Sequence, residues 1–131
     1  MNNLNIVGIG NDIINITRIE KSIAKFGDKF ITRIYTNNEI ALAKKFTSSK
    51  KISSFYAKRF AAKEALVKAI GTGFRRGVSF TDIEILNNED GKPVVNLFNE
   101  LKTTLADTKI HISLSDDYPF AIATILICIS S

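Results

Sequence analysis

The chain has 131 residues, 45% hydrophobic and 24% charged, a length that suits one domain and a composition that excludes a disordered tail. Eighteen Lys and Arg against thirteen Asp and Glu give a net charge of +5 and a pI near 9.4, so an anionic partner is favoured. A single cysteine, Cys128, excludes a disulfide framework and a cysteine metal cluster. No apolar run reaches the roughly 20 residues of a bilayer span. The N-terminus lacks the features of a secretory signal, and a cytoplasmic protein is expected.

Leu4 to Asp12 is β-rich. Gly8 and Gly10 interrupt Ile6, Val7 and Ile9, which predicts a close backbone approach or a bulge just before Asp12. Thr17-Arg18-Ile19-Glu20 has the form of a capping box and should open a helix with Ile16, Ile19, Ile23 and Phe26 facing inward and Arg18, Lys21 and Lys25 outward. Asp28 to Tyr35 predicts a short helix, and Thr36-Asn37-Asn38-Glu39 a second capping box leading into Ile40 to Phe46. Ser48 to Ser54 reads as a polar linker.

Phe55 to Ile70 forms the central helix, and its charges are the anomaly of the chain. At about 100° per residue the apolar side chains cover roughly half of the wheel, yet Arg59 and Lys63 fall inside that apolar arc. On the other side Ala57, Ala61, Glu64 and Lys68 share a stripe whose small residues admit close approach of another chain or a ligand. Glu64 and Lys68 read equally well as an i, i+4 surface pair or as chemistry. Gly71-Thr72-Gly73 predicts a helix C-cap, with Arg75, Arg76 and Gly77 following as a glycine loop able to meet phosphate.

Val78 to Leu86 predicts a strand, Asn87 to Pro93 a turn, Val94 to Leu97 a returning strand, and Asn99 to Asp107 a short helix. Ile110 to Ser115 alternates apolar and polar residues. Asp116-Asp117-Tyr118-Pro119 then turns into the apolar strand Phe120 to Ile129, where Cys128 sits as a small hydrophobe. His111 shares a strand face with Ser113 and Ser115, but no nucleophile elbow or triad accompanies it, and a structural histidine is the better reading. There is no repeat and no domain boundary. Residues 1–131 are expected to form one compact α+β domain, an antiparallel sheet packed on a central helix.

Three segments together resemble the holo-acyl-carrier-protein synthase family of bacterial 4'-phosphopantetheinyl transferases. They are Gly8-Ile9-Gly10-Asn11-Asp12-Ile13 with Arg18-Ile19, Arg59-Phe60-Ala61-Ala62-Lys63-Glu64-Ala65 with Lys68 and Gly71-Thr72-Gly73, and His111-Ile112-Ser113-Leu114-Ser115. Phe30 to Glu39 and Asp82 to Ile85 with Gly91-Lys92-Pro93 extend the resemblance over nearly the whole chain. It implies transfer of the phosphopantetheine arm of coenzyme A to a serine of apo-acyl carrier protein, releasing adenosine 3',5'-bisphosphate, in fatty acid biosynthesis.

The resemblance also implies residue roles. Asp12 and Glu64 match the family's Mg²⁺ positions, a hard cation commonly held by one or two carboxylates plus phosphate and water. Lys68 would neutralise phosphate charge. Arg59 would bind the 3'-phosphate, and Gly71, Gly73 and Ser115 would join the coenzyme A site. The serine proton would pass to Glu64 directly or through a water on the metal, the second route being favoured. Arg18, Lys21 and Lys25 would dock the acidic carrier protein. Relatives are trimers with active sites between subunits, which implies a homotrimer.

One departure stands out: many relatives carry histidine where this chain has Asp116, and a carboxylate there should repel nucleotide phosphate, with Arg75 or Arg76 as the compensation. Two other classes fit size and charge: a basic nucleic-acid-binding module, disfavoured because no RNP-type strand motif is present, and a non-catalytic binder of coenzyme A or carrier protein. Neither nucleic acid nor membrane is the expected partner.

Overall fold

The structure, a computed structural model, describes residues 4–71 and 77–130. Strand β1 (Leu4–Asn15) leads into helices α1 (Ile16–Phe26), α2 (Asp28–Ile34) and α3 (Asn37–Ala43), and then the long helix α4 (Ser49–Ile70). A 3-10 turn (Phe80–Asp82) precedes the hairpin of β2 (Ile83–Asn87) and β3 (Pro93–Leu97). Helix α5 (Glu100–Thr104) follows, and strands β4 (Thr108–Asp117) and β5 (Phe120–Ser130) close the chain. The sheets are antiparallel, one ordered β1-β5-β4 and the other β2-β3. The α+β architecture around a central helix is as expected.

Helix α4 is enclosed on most of its circumference, and its buried residues run from Ser53 to Val67 without a clean polar face. This enclosure accounts for the charges in the apolar arc. Lys63 is fully buried, and its ammonium donates to Glu39 Oε1 at 2.7 Å, Ile34 O at 2.7 Å and Phe80 O at 3.1 Å. Glu39 in turn accepts from the backbone N–H groups of Thr36 and Ile85, both at 2.9 Å. Burying an ion pair is tolerable when its remaining hydrogen-bonding capacity is used in this way.

The glycines of β1 allow the strand to lie against α4. A Cβ added to Gly10 would come within 1.8 Å of Ala65 O, and one at Gly8 within 2.4 Å of Ala69 O. Backbone therefore rests on backbone, and the small residues that permit it are Ala65 and Ala69; Ala57 and Ala61 are fully buried in the core. The bulge is also present, as a register shift between Ile6 and Gly8 against β5. The strand does not stop there but runs on through Asn15.

Local chemistry moved several predicted boundaries. Asn15, not Thr17, caps α1, its side chain accepting from the Thr17 N–H at 3.0 Å. Phe26 is not inward: it is 53% exposed, at the last turn before Gly27. Residues 49–54 belong to α4, whose N-cap is Ser48, so the predicted linker is helix. Part of the predicted strand from Val78 is the 3-10 turn. The Thr36 capping box forms as expected.

Candidate active site

Asp12 leaves β1 two residues beyond Gly10, so the strand's contact with α4 carries its carboxylate to the helix. There Lys68 donates to Asp12 Oδ1 at 2.7 Å and to Asn11 O at 3.2 Å. Glu64, one helical turn before Lys68, lies in the same electrostatic neighbourhood. Partial burial raises its carboxyl above the usual carboxylate range and the charge of Asp12 raises it further, while Lys68 and Arg18 pull it back. The predicted trio of Asp12, Glu64 and Lys68 is thus brought together. Arg18, predicted as a docking residue, is exposed on α1 yet close enough to act on Glu64.

The two carboxylates crowd like charge, and the cost of that crowding is what a divalent cation relieves. Two protein carboxylates with room for phosphate oxygens and water match the donor chemistry of Mg²⁺ better than that of a closed protein cage. No cluster of three or more His, Cys, Asp or Glu suited to a metal occurs among the described residues.

A second region opens further toward the N-terminus of α4, a cleft of about 420 Å³. Two helical rows line it at i, i+4, i+8 spacing: Lys50, Ser54 and Lys58, and Lys51, Phe55 and Arg59. Arg59 is held rigidly, with Nε donating to Ile85 O at 3.2 Å, Nη2 to Asn87 Oδ1 at 3.3 Å, and the guanidinium 3.9 Å from the Phe55 ring centroid. Burial lowers its pKa to about 10, with Glu39 and Tyr35 opposing that fall, so it remains a cation at neutral pH. Opposite, Asp116 pairs with Lys58 at 3.0 Å, and Lys50 lies 4.6 Å from the ring centroid of Tyr118.

The other predicted residues fall in different places. Ser115 is exposed and alternates with Asp116, so it belongs to the outer sheet face with His111 and Ser113 rather than to this cleft. Gly71 is the left-handed C-cap of α4 at φ 79°, and its N–H donates to Val67 O and Lys68 O. Gly73, with Thr72, Arg75 and Arg76, lies outside the described residues. Lys50, Lys51, Lys58 and Tyr118 were missed as cleft residues. The signal for the lysines was the Ser48 N-cap, which extends the helical periodicity back through Lys50.

The profile of the 4'-phosphopantetheinyl transferase superfamily matches residues 8–123. A holo-[acyl-carrier-protein] synthase of Orientia tsutsugamushi (strain Ikeda) is 51% identical over 130 residues, covering 95% of this chain and 98% of the relative. The crystal structure of the Bacillus anthracis (strain Ames) holo-(acyl-carrier-protein) synthase in complex with CoA (3',5'-ADP) superposes with a TM-score of 0.79 at 43% identity, over 94% of this chain and 96% of that one. The Neisseria meningitidis enzyme gives a TM-score of 0.85 at 36% identity, over 94% and 98%. The chain therefore belongs to the 4'-phosphopantetheinyl transferase superfamily, among the holo-acyl-carrier-protein synthases.

Proposed function

We propose that this chain transfers the 4'-phosphopantetheine arm of coenzyme A to a serine hydroxyl of apo-acyl carrier protein, releasing adenosine 3',5'-bisphosphate, in the cytoplasm and in the service of fatty acid biosynthesis. The observation that carries the reading is the meeting of Asp12, Lys68 and Glu64 where β1 crosses α4. That arrangement supplies both an ammonium and paired carboxylates to a diphosphate.

Asp12 and Glu64 would hold Mg²⁺, which when bound supplies charge neutralisation at the diphosphate and at the oxygen that leaves. The serine oxygen forms its bond to the phosphorus bearing pantetheine as the bond from that phosphorus to the bridging oxygen breaks, and the electron pair departs with the bisphosphate. Glu64 takes the serine proton through a water; burial and the charge of Asp12 strengthen its basicity. Lys68 stabilises charge on the phosphate oxygens as it develops. Arg59, pre-organised by Phe55, Ile85 and Asn87, offers its remaining N–H donors to the nucleotide side of the substrate.

Arg18, Lys21 and Lys25 form an exposed basic face on α1, and the exposed Phe26 adds an apolar anchor at its end. An acidic carrier protein fits such a surface: charge steers the encounter and the aromatic ring buries area. Arg18, acting on both this face and Glu64, links docking to the reacting serine.

The outer face of the β1-β5-β4 sheet presents Ile9, Ile13 and Ile122 to solvent at 67%, 59% and 36% exposure, with Ile13 directly opposite Ile122 in register. A contiguous apolar sheet face of this kind marks a surface that another chain covers. Closure by identical subunits, a homotrimer with sites at the subunit boundaries, accounts for it and for the placement of Ser115 on that face.

Intact-mass spectrometry of apo-acyl carrier protein incubated with the chain, coenzyme A and Mg²⁺ tests the reading. A gain of one phosphopantetheine arm, abolished by a chelator, is expected. No gain with several folded carrier proteins would reduce the chain to a binder.

A further inference from the structure

Lys63 is a cation that the chemistry at Asp12 does not use. Its side chain has no exposed surface, and its ammonium donates to acceptors from three elements: Ile34 O at the end of α2, Glu39 Oε1 in α3 and Phe80 O in the 3-10 turn. An ammonium has three donors, so all of them are engaged. A buried ion pair is weak evidence for stability, and its best-attested use is to fix a register.

Glu64 is the next residue along α4. Its carboxylate takes no part in the ion pairs of the described residues, since Lys68 turns to Asp12 instead. Its direction is therefore set by the rotation of the helix about its own axis. At about 100° per residue Lys63 projects about 160° away from Ala65, and Glu64 falls between the two. On the Ala65 side α4 meets the bare backbone of Gly8 and Gly10, a contact that offers no interlocking side chain. Leu66 and Val67 are buried and pack by shape, and cores filled by shape alone lose uniqueness before they lose stability. The Lys63 hydrogen bonds have direction, and they grip the helix on the side away from β1.

We infer that Lys63 is a positioning residue for Glu64: its three hydrogen bonds set the rotation of α4 that turns the Glu64 carboxylate toward Asp12. This rests on the proposed function, in which the two carboxylates share a divalent cation. Side chains reach about 5–6 Å from a helix axis, so a rotation of about 10° shifts a carboxylate at that radius by about 1 Å. A misplacement of about 1 Å caused far from the chemistry is enough to cost about 10²-fold in rate. Lys63 itself touches neither the cation nor the substrate.

The test compares the unmodified chain with Lys63→Met, Glu39→Gln and the double variant. Mn²⁺ is titrated against each with coenzyme A and without carrier protein, free metal being read by electron paramagnetic resonance against coenzyme A alone. Residues that support metal ligands change affinity by about 10- to 100-fold, so Lys63→Met should weaken Mn²⁺ binding by about tenfold or more. The double variant should regain part of the melting temperature and none of the metal affinity. Carrier-protein binding should hold within about twofold in both, with the loss of transfer falling on kcat. Mn²⁺ affinity within about twofold of the unmodified chain overturns the inference, as does affinity that returns in step with the melting temperature. Carrier-protein binding weakened by the same factor as metal binding also overturns it. Should neither Lys63 variant fold, Glu39→Gln decides in their place: weaker Mn²⁺ binding by about threefold supports the inference and unchanged binding overturns it. Failure of the unmodified chain to bind Mn²⁺ beyond coenzyme A alone overturns the inference and the shared-cation reading together. Tight Mn²⁺ binding with no transfer to carrier protein removes the transferase reading and leaves the comparison of variants to decide the inference.

Discussion

Lys63 Nζ lies 2.7 Å from Glu39 Oε1, and neither side chain has exposed surface. The pair ties α4 to the start of α3 and, through the Ile85 N–H, to β2. Lys63→Met keeps the volume but leaves the Glu39 carboxylate buried without its counter-charge, and should cost about 3–5 kcal/mol. Urea denaturation reads this directly, and adding Glu39→Gln should recover part of the loss.

Gly10→Ala should damage stability and activity together. The added methyl would meet the Ala65 carbonyl, which is helix backbone and has no rotamer to yield, so β1 must lift from α4. Overpacking costs about 1–3 kcal/mol at ordinary core sites, and Asp12 is carried away from Lys68 by the same displacement. A fall in melting temperature with a larger fall in kcat is expected.

Glu64→Gln should abolish transfer while carrier-protein binding, followed by titration calorimetry, is retained. Because the folded state raises the pKa of Glu64, its favourable contribution to stability is present below the ordinary value of 4.5 and is lost as pH rises through the folded value. At neutral pH the glutamate therefore opposes folding. The glutamine variant should melt at or above the temperature of the unmodified chain at pH 7, with the advantage vanishing in acid. The acid limb of kcat/KM for the unmodified chain should lie above 4.5 and disappear as a feature of any residual activity in the variant.

Lys68→Met should lower kcat by about 10² to 10³, the usual effect of removing one group that stabilises transition-state charge. Its pair with Asp12 is exposed on the lysine side, so thermal stability should hardly change.

Charge reversal of Arg18, Lys21 and Lys25 to glutamate should raise KM for the carrier protein and flatten its salt dependence, leaving coenzyme A binding by Lys21→Glu and Lys25→Glu unchanged. Arg18→Glu should do more, since Arg18 also bears on Glu64 and its reversal would raise that carboxyl further. An acid limb displaced to higher pH in this variant, and not in the other two, is the measurement to make.

Legibility in the sequence followed the range of the interactions. The Thr36 capping box and the Gly71 C-cap depend on neighbours within a few residues, and both were readable. Asp12 and Glu64 were singled out by the resemblance to a family, and the structure brings Asp12 to the helix that carries Glu64 through its pair with Lys68. The burial of Lys63 was visible only as an anomaly, because its partner Glu39 is 24 residues away. The Lys58–Asp116 pair spans α4 and β4, and no local pattern joins those elements. Lys50 and Lys51 were hidden because polar residues in a first helical turn look the same as a linker until the cap is known. Phe26 was misjudged because periodicity gives direction on the wheel but not the length of the surface the helix packs on.

Strand β1 is a lamina with different demands on its two sides: Gly8 and Gly10 turn bare backbone to α4, while Ile9 and Ile13 turn apolar side chains outward. Where Gly8 and Gly10 cross α4 the inner side offers no methyl groups, so that stretch is secured by its ladder to β5, by the buried Ile14 further along the strand and by whatever covers the isoleucines. A small molecule or peptide that wedges onto that outer surface would tilt Asp12 without entering the nucleotide cleft. Such an inhibitor would be noncompetitive with coenzyme A, and resistance to it would arise among the outward isoleucines, on the side of the strand turned away from Asp12 and α4.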